Sequence, residues 1–178
     1  MIFMQKGFAT LEIFLVIMII AILATTTIPS AARIIDRVSL DYETKRLYTD
    51  LRFVQEINRS TRIYFTAMGK RFALPSSPEA TLTINMPANG VHNWQVFRDV
   101  NAGGKPVREP HYLPKNIKIS FRNALKADIN FDTTGKYNIQ SYNGSSSNET
   151  TFVLTSRYGN GAEIVFDSVG RFLGGLEK

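Results

Sequence analysis

The chain has 178 residues, 44% of them hydrophobic, with a formal net charge of +6 and no cysteine. This length allows one globular domain with its own core beside a membrane segment, whereas two domains would be crowded. The absence of cysteine excludes disulfide bonds and thiolate metal sites. The positive charge favours anionic partners such as nucleic acid, lipid headgroups or acidic proteins, without deciding among them.

The first element in the chain is an apolar stretch near the N-terminus. Residues 13–23 contain no polar side chain, and the flanking residues bring the stretch close to the length of a helix that crosses a hydrocarbon core. Glu12 stands at its edge, where a carboxylate is costly in lipid unless it is paired or lies near the headgroups. If the chain were cut after Gly7, the new amine of Phe8 would lie one helical turn from Glu12 and could pair with it. The stretch therefore predicts a membrane helix with a functional carboxylate.

The segment Lys6-Gly7-Phe8-Ala9-Thr10-Leu11-Glu12, followed by this apolar run, resembles the class III signal of type IV prepilins and type II secretion pseudopilins. In that family a prepilin peptidase cuts after the glycine and methylates the new N-terminal residue. The resemblance implies cleavage between Gly7 and Phe8, N-methylation of Phe8 and an assembly role for Glu12. It also implies an assembly role for Pro29, which falls where the family often kinks its helix.

One position departs from the family pattern: Ala21 stands where many members have glycine, so the resemblance does not imply local melting of the helix in a filament. Two other interpretations of the N-terminus stay open. One is an ordinary secretory signal peptide cut at a distant site such as Ala24 or Ala32, and the other is a plain single-pass anchor. Neither accounts for Gly7, Phe8 and Glu12 together.

Beyond Pro29 the sequence keeps a helical period to about Asn58. Apolar residues recur at spacings near three, four and seven, which predicts one stripe of an amphipathic helix. These residues are Ile34, Ile35, Val38, Leu40, Leu47, Leu51, Val54 and Ile57. The charged residues between them alternate in sign and predict a face that is either solvated, which we favour, or engaged by neighbouring subunits. They are Asp36, Arg37, Asp41, Glu43, Lys45, Arg46, Asp50, Arg52, Glu56 and Arg59.

After Ser60 the period changes, and short segments rich in β-branched and aromatic residues predict strands of an antiparallel sheet. The segments are 62–66, 71–74, 81–86, 94–98, 117–122, 137–142 and 151–157, with an exposed loop over 101–110. A sheet packed across the helix would cover its apolar stripe, so we predict an α+β fold. The predicted divisions are a leader of residues 1–7, a transmembrane or filament-core helix over 8–29, its amphipathic continuation over 30–60 and a β-rich domain over 61–178.

The C-terminal part contains an internal repeat. Residues 127–137 and 162–172 share one pattern, in which a strand enters a turn and leaves it again. Asp132 and Asp167 are predicted to cap these turns, and the glycine three residues after each is predicted to take a positive φ. Together with residues 50–54, the paired hairpins resemble the H-type minor pseudopilins and T-type minor fimbrial pilins (GspH/FimT type).

This second resemblance implies a structural subunit of a type IV pilus or a type II secretion pseudopilus. Its implied location is the inner membrane, crossed once with the globular domain outside the cytoplasm, and then a filament. The implied partners are a prepilin peptidase, other pilin or pseudopilin subunits and the inner-membrane assembly platform. A secretion pseudopilus, an adhesion or motility pilus and a DNA-uptake pilus all stay open.

We find no catalytic constellation in the sequence and predict neither an enzyme nor a cofactor or metal site. His92 and His111 lie in separate loop-like stretches without cysteine or spaced carboxylates nearby, and surface positions are predicted for both. Asp132 and Asp167 could be imagined as paired acids, but their place before a turn glycine favours capping.

A basic stretch offers a possible binding surface. From residue 98 to residue 136 there are eight lysines and arginines against four acids. Lys115, Lys118, Arg122 and Lys126 are the candidates for phosphate contacts with DNA, with Tyr112 or Tyr137 available for stacking. A DNA-binding tip subunit of a competence pilus is therefore the alternative function. A solvated sheet face is the competing interpretation, because no base-reading motif accompanies the charge.

Overall fold

A long N-terminal helix dominates the computed structural model, which describes residues 5–67, 79–98, 104–132, 134–142, 150–167 and 171–176. Helix α1 runs from Gln5 to Ala67, about 95 Å at 1.5 Å per residue. It therefore continues past Asn58, and the strand predicted over 62–66 is wrong. This segment contains no glycine or proline, so nothing local stops the helix, which overrides the β preference of its β-branched and aromatic residues. The strand predicted over 71–74 lies outside the described residues.

Pro29 lies inside α1 without ending it. Proline removes one backbone donor and crowds the preceding turn, which usually kinks a helix. In that turn the hydroxyl of Thr25 donates to the carbonyl of Ile22, and the hydroxyl of Thr27 donates to that of Leu23. The hydroxyl groups of Thr25 and Thr27 are thus satisfied by the helix itself.

Within the described residues, ten strands form two antiparallel sheets, which confirms the predicted α+β fold. The first sheet has the order β3-β2-β1-β6-β7, with β4 also paired to β2; the second has the order β10-β9-β8-β5. The strands of the first sheet are β1 (Ala80–Asn85), β2 (Asn93–Arg98), β3 (Lys105–Pro106), β4 (His111–Tyr112), β6 (Lys126–Phe131) and β7 (Tyr137–Tyr142). Those of the second are β5 (Ile117–Ser120), β8 (Thr151–Ser156), β9 (Gly161–Phe166) and β10 (Phe172–Leu176).

Most of the predicted strands are confirmed to within a residue or two, and the two repeats form the hairpins β6–β7 and β9–β10, one in each sheet. The strand predicted over 117–122 ends at Ser120 instead. Arg122 and Asn123 adopt φ values of 48° and 52°, a left-handed conformation that turns the chain out of the sheet. Within the predicted loop 101–110, the short strand β3 pairs with β2.

The core lies between the C-terminal half of α1 and the two sheets. Leu40, Leu47, Leu51 and Val54 are fully buried there against the strands. Ile34, Ile35 and Val38 are exposed, so the prediction of one continuous apolar stripe is wrong. At 3.6 residues per turn, Val38 lies roughly 160° around the helix from Leu40, which places these three side chains on the opposite face.

Candidate functional site

The N-terminal half of α1 exposes an unusual amount of apolar surface. Within Thr10–Ser60, an 18-residue window reaches a mean hydropathy of 2.5, and none of that window is buried. The large apolar side chains from Leu11 to Ile28 are 48% to 78% exposed. α1 is thus long and apolar enough to span a membrane near the N-terminus. Lipid or other helices would have to cover this surface, because soluble proteins rarely expose apolar patches of such size.

The predicted processing and assembly residues all lie on α1. Gly7 and Phe8 belong to its first turns, and Pro29 lies within it. The Glu12 side chain is exposed beside Leu11 and Ile13, which are themselves 65% and 60% exposed. Glu12 is thus displayed on the same surface as the apolar side chains. Cleavage, methylation and docking stay predictions.

The C-terminal half of α1 presents a row of three buried carboxylates to the sheets. Asp36, Glu43 and Asp50 are only 4%, 5% and 9% exposed, so the prediction of a solvated charged face is wrong for them. Their spacing of seven places them on the same side of the helix as Leu40, Leu47 and Val54. The other charged residues between Asp36 and Arg59 are exposed or, for Asp41, partly exposed, as predicted. We call Asp36, Glu43 and Asp50 the acidic row.

The first member of the acidic row joins α1 to two loops. Asn116 donates from Nδ2 to Oδ1 of Asp36 at 2.8 Å, and Asn160 donates to Oδ2 at 3.3 Å. Asp36 contacts the sheet domain and lies beyond the apolar segment. Burial alone would raise the pKa of Asp36, but these amides and a backbone bond from Tyr158 lower it below its usual 3.8. The carboxylate is thus kept ionised by polar groups distant in sequence.

The second and third members of the acidic row bind the first sheet. His111 Nε2 donates to Oε2 of Glu43 at 2.6 Å, and the His111 ring lies 4.4 Å from the ring of Trp94. The Trp94 indole donates from Nε1 to Oδ2 of Asp50 at 2.8 Å, while Arg108 Nη1 lies 3.4 Å from Oδ1. Each buried acid is therefore satisfied, as buried charges require.

About two turns beyond Asp50, Asn58 fastens α1 to the beginning of β1. Its amide donates to the carbonyl of Ala80 at 2.9 Å and accepts from the nitrogen of the same residue at 2.8 Å. Together with the acidic row, this pair fixes the rotation and axial position of α1 against the sheets.

The predicted surface position is wrong for His92, whereas His111 is partly exposed. His92 is 7% exposed. The backbone N–H of Ile119 donates to Nδ1 of His92 at 3.1 Å, so Nδ1 must carry no proton. Burial is the main cause that lowers the pKa of His92, and the charge of Lys118 lowers it further. Among the described residues, no three His, Cys, Asp or Glu side chains form a group that could hold a metal ion.

The predicted aspartate caps are confirmed in both repeats, whereas Gly170, the glycine of the second turn, lies outside the described residues and its φ stays a prediction. Asp132 Oδ1 accepts from the backbone nitrogens of Thr134 and Lys136 at 2.8 and 2.9 Å, and Gly135 adopts a φ of 91°. Burial would raise the pKa of Asp132, but these bonds lower it. In the second repeat, Asp167 Oδ1 accepts from the backbone nitrogen of Arg171 at 2.9 Å. Both acids thus hold the turns in shape.

The four candidate phosphate-binding residues do not form one surface of equivalent cations. Lys115 and Lys118 are exposed, whereas Arg122 packs over the ring of Phe121. Lys126 belongs to the other sheet, where it lies 3.3 Å from Asp128 and over the ring of Tyr142. Tyr112 is exposed, whereas Tyr137 is only partly exposed and its ring packs against Phe166.

Comparison of the chain with protein-family models, with curated proteins and with solved structures finds no match.

Proposed function

We propose that this protein is a membrane-anchored minor pilin or pseudopilin, a structural subunit of a type IV pilus or type II secretion pseudopilus. In this proposal a prepilin peptidase cuts between Gly7 and Phe8 and methylates Phe8. The mature helix waits in the inner membrane with the sheet domain outside the cytoplasm. The assembly platform then brings it to other subunits, whose helices bundle with it. The protein is a substrate of enzymes and not an enzyme itself.

The observation that carries this proposal is the division of α1 into two halves of different character. The first half exposes apolar side chains around Glu12, and the second half is held rigidly to the sheets by the acidic row. Such a helix suits a subunit that must anchor in lipid and later exchange lipid for neighbouring helices. Hydrophobic burial along the bundle supplies cohesion, and an unpaired buried carboxylate penalises a misplaced subunit.

The first test is the intact mass and N-terminal sequence of the protein from its native membrane. We expect a chain that begins with methylated Phe8. A chain that begins at Met1, or one that starts after Ala24 or Ala32, would contradict the proposal. It would favour an ordinary membrane-anchored or exported β-domain instead.

A DNA-binding tip subunit is the second candidate function. The observation that favours it is that Tyr112, Lys115 and Lys118 are all exposed within seven positions of the chain. Phosphate contacts predict an affinity for DNA that falls with salt concentration. Affinity that is unchanged when Lys115 and Lys118 are both replaced by glutamine would remove this surface as the binding site.

A further inference from the structure

A cleft of about 400 Å³ lies between the C-terminal half of α1 and the two repeated hairpins. The helix contributes Tyr48, Arg52 and Arg59, and the hairpins contribute Gly135, Arg171 and Leu173. This volume is within the usual range of ligand sites, about 300 to 1,000 Å³. The cleft is thus formed where the two repeats meet the helix.

The shape of the cleft depends on contacts around Gly135. Its carbonyl accepts from Gln55 Nε2 at 3.1 Å, which holds the β6–β7 turn against the helix. A β-carbon at Gly135 would lie 3.1 Å from Arg59 Nε, so a larger residue would press on that guanidinium. On the other side, the rings of Tyr48 and Phe172 meet edge to face at 4.8 Å and form an apolar floor.

The charge of the cleft favours an anionic ligand. Arg171 bonds Asp167 but its side chain is 76% exposed, and Arg52 donates to the hydroxyl of Tyr48. Arg59 has neither a hydrogen bond nor an ion pair among the residues that the structure describes. Three guanidinium groups therefore surround the cleft, against the exposed carboxylate of Glu56 and the paired one of Asp167. Guanidinium groups bind carboxylates strongly, often through two parallel hydrogen bonds.

The cleft opens beside the free edge of a sheet. Strand β10 ends the second sheet and, among the described residues, its backbone pairs with β9 alone. Its Leu173 side chain is 71% exposed. The opposite edge, strand β5, instead carries an exposed Lys118, the kind of residue that discourages strand addition. The edge at β10 has a backbone template and an apolar side chain for an added strand.

We propose that the cleft and the edge of β10 bind an extended acidic polypeptide segment of a partner protein. The segment adds a strand to β10 and places alternate carboxylates near Arg52, Arg59 and Arg171, while an apolar side chain covers Leu173. A nucleic acid fits less well, because Glu56 and Asp167 repel a continuous row of phosphates and β10 offers peptide groups for pairing. This site is independent of the pilin proposal, since it concerns only the sheet domain and the helix beside it.

The experiment uses the full chain in detergent micelles and a fluorescent peptide of alternating glutamate and valine, about nine residues long so that it can cover β10. We expect saturable binding by fluorescence anisotropy. Replacing Arg59 or Arg171 by glutamine should weaken it about tenfold each, as expected for the loss of a charged hydrogen bond. The matched control is Arg46→Gln, which changes an exposed arginine of α1 that does not line the cleft and should bind like the parent chain.

Hydrogen exchange distinguishes an added strand from a loose ionic contact. The peptide should slow exchange of the β10 amides, and Leu173→Asp, at an exposed position, should weaken binding without unfolding the domain. Equal binding of an alternating lysine and valine peptide would overturn the proposal. So would unchanged exchange in β10, or tighter binding of an oligodeoxythymidylate of similar length that also depends on Arg59 and Arg171.

Discussion

At the scale of single residues, Gly135 tests how far backbone conformation limits the sequence. Its φ of 91° is unfavourable for other residues, so Gly135→Ala should lower the free energy of unfolding by about 1 to 2 kcal/mol. Urea unfolding of the full chain in detergent measures this loss. Gly159→Ala is the matched control, since Gly159 has a φ of 79° and no atom within 4 Å of the added carbon. Equal losses of unfolding free energy in the two variants would show that the positive φ causes the loss at Gly135. If Gly135→Ala were as stable as the parent chain, the prediction would be wrong.

A second residue, His92, should give the protein a stability that depends on pH. Its pKa in the folded protein is lowered from 6.5, mainly by burial. Above pH 6.5 the histidine is neutral in both states and its contribution is complete. As pH falls from 6.5 toward the folded pKa, the unfolded chain binds a proton that the folded chain does not, and stability declines.

Urea unfolding between about pH 5 and about pH 8 measures this dependence. We expect His92→Asn, which keeps an acceptor for the nitrogen of Ile119, to flatten the pH profile in that window. Asp36 and Asp132 do not interfere, because their lowered pKa values move stability only below their usual 3.8. A profile as steep in His92→Asn as in the parent chain would contradict the assignment.

At the scale of elements, the acidic row determines how α1 sits on the sheets. Asp50→Ala would leave the buried indole nitrogen of Trp94 without its acceptor and remove a carboxylate from Arg108. We expect a loss of about 2 to 4 kcal/mol, measured by urea unfolding in detergent. Asp41→Ala on the same helix removes only an exposed pair with Lys45 and should lose about 0.3 to 0.5 kcal/mol. Similar losses in the two variants would show that the acidic row is not important for stability.

The sequence predicted most of the strands and both hairpin turns, because these depend on local signals: alternating apolar residues and the Asp-x-x-Gly spacing. It missed the acidic row, although the spacing of seven between Asp36, Glu43 and Asp50 was visible. The reason is that their partners lie far away in the chain. Asn116 is 80 residues from Asp36, His111 is 68 from Glu43, and Trp94 is 44 from Asp50. A carboxylate that has no partner nearby in the sequence is ordinarily predicted to be exposed to solvent.

At the scale of the whole molecule, mutations in the two halves of α1 should have separate effects, one on the stability of the domain and the other on assembly. Defects in the acidic row loosen the domain, whereas changes near Glu12 leave it intact, because no described contact joins Glu12 to the sheets. Glu12→Ala should therefore reduce incorporation into filaments without changing the urea midpoint of the domain. The measurement is the fraction of processed chain in sheared filaments relative to the membrane fraction.

The control for this prediction is Asp41→Ala, which removes a carboxylate from the same helix outside the apolar segment and should incorporate normally. Glu12→Gln separates charge from shape, since it keeps the size of the side chain but cannot form an ion pair with the amine of Phe8. If pairing guides docking, the glutamine variant should fail like the alanine variant, with cleavage after Gly7 preserved in both. Normal filament levels in Glu12→Ala would show that the carboxylate has no role in assembly. The helix would then dock equally well without a charge that has to be paired.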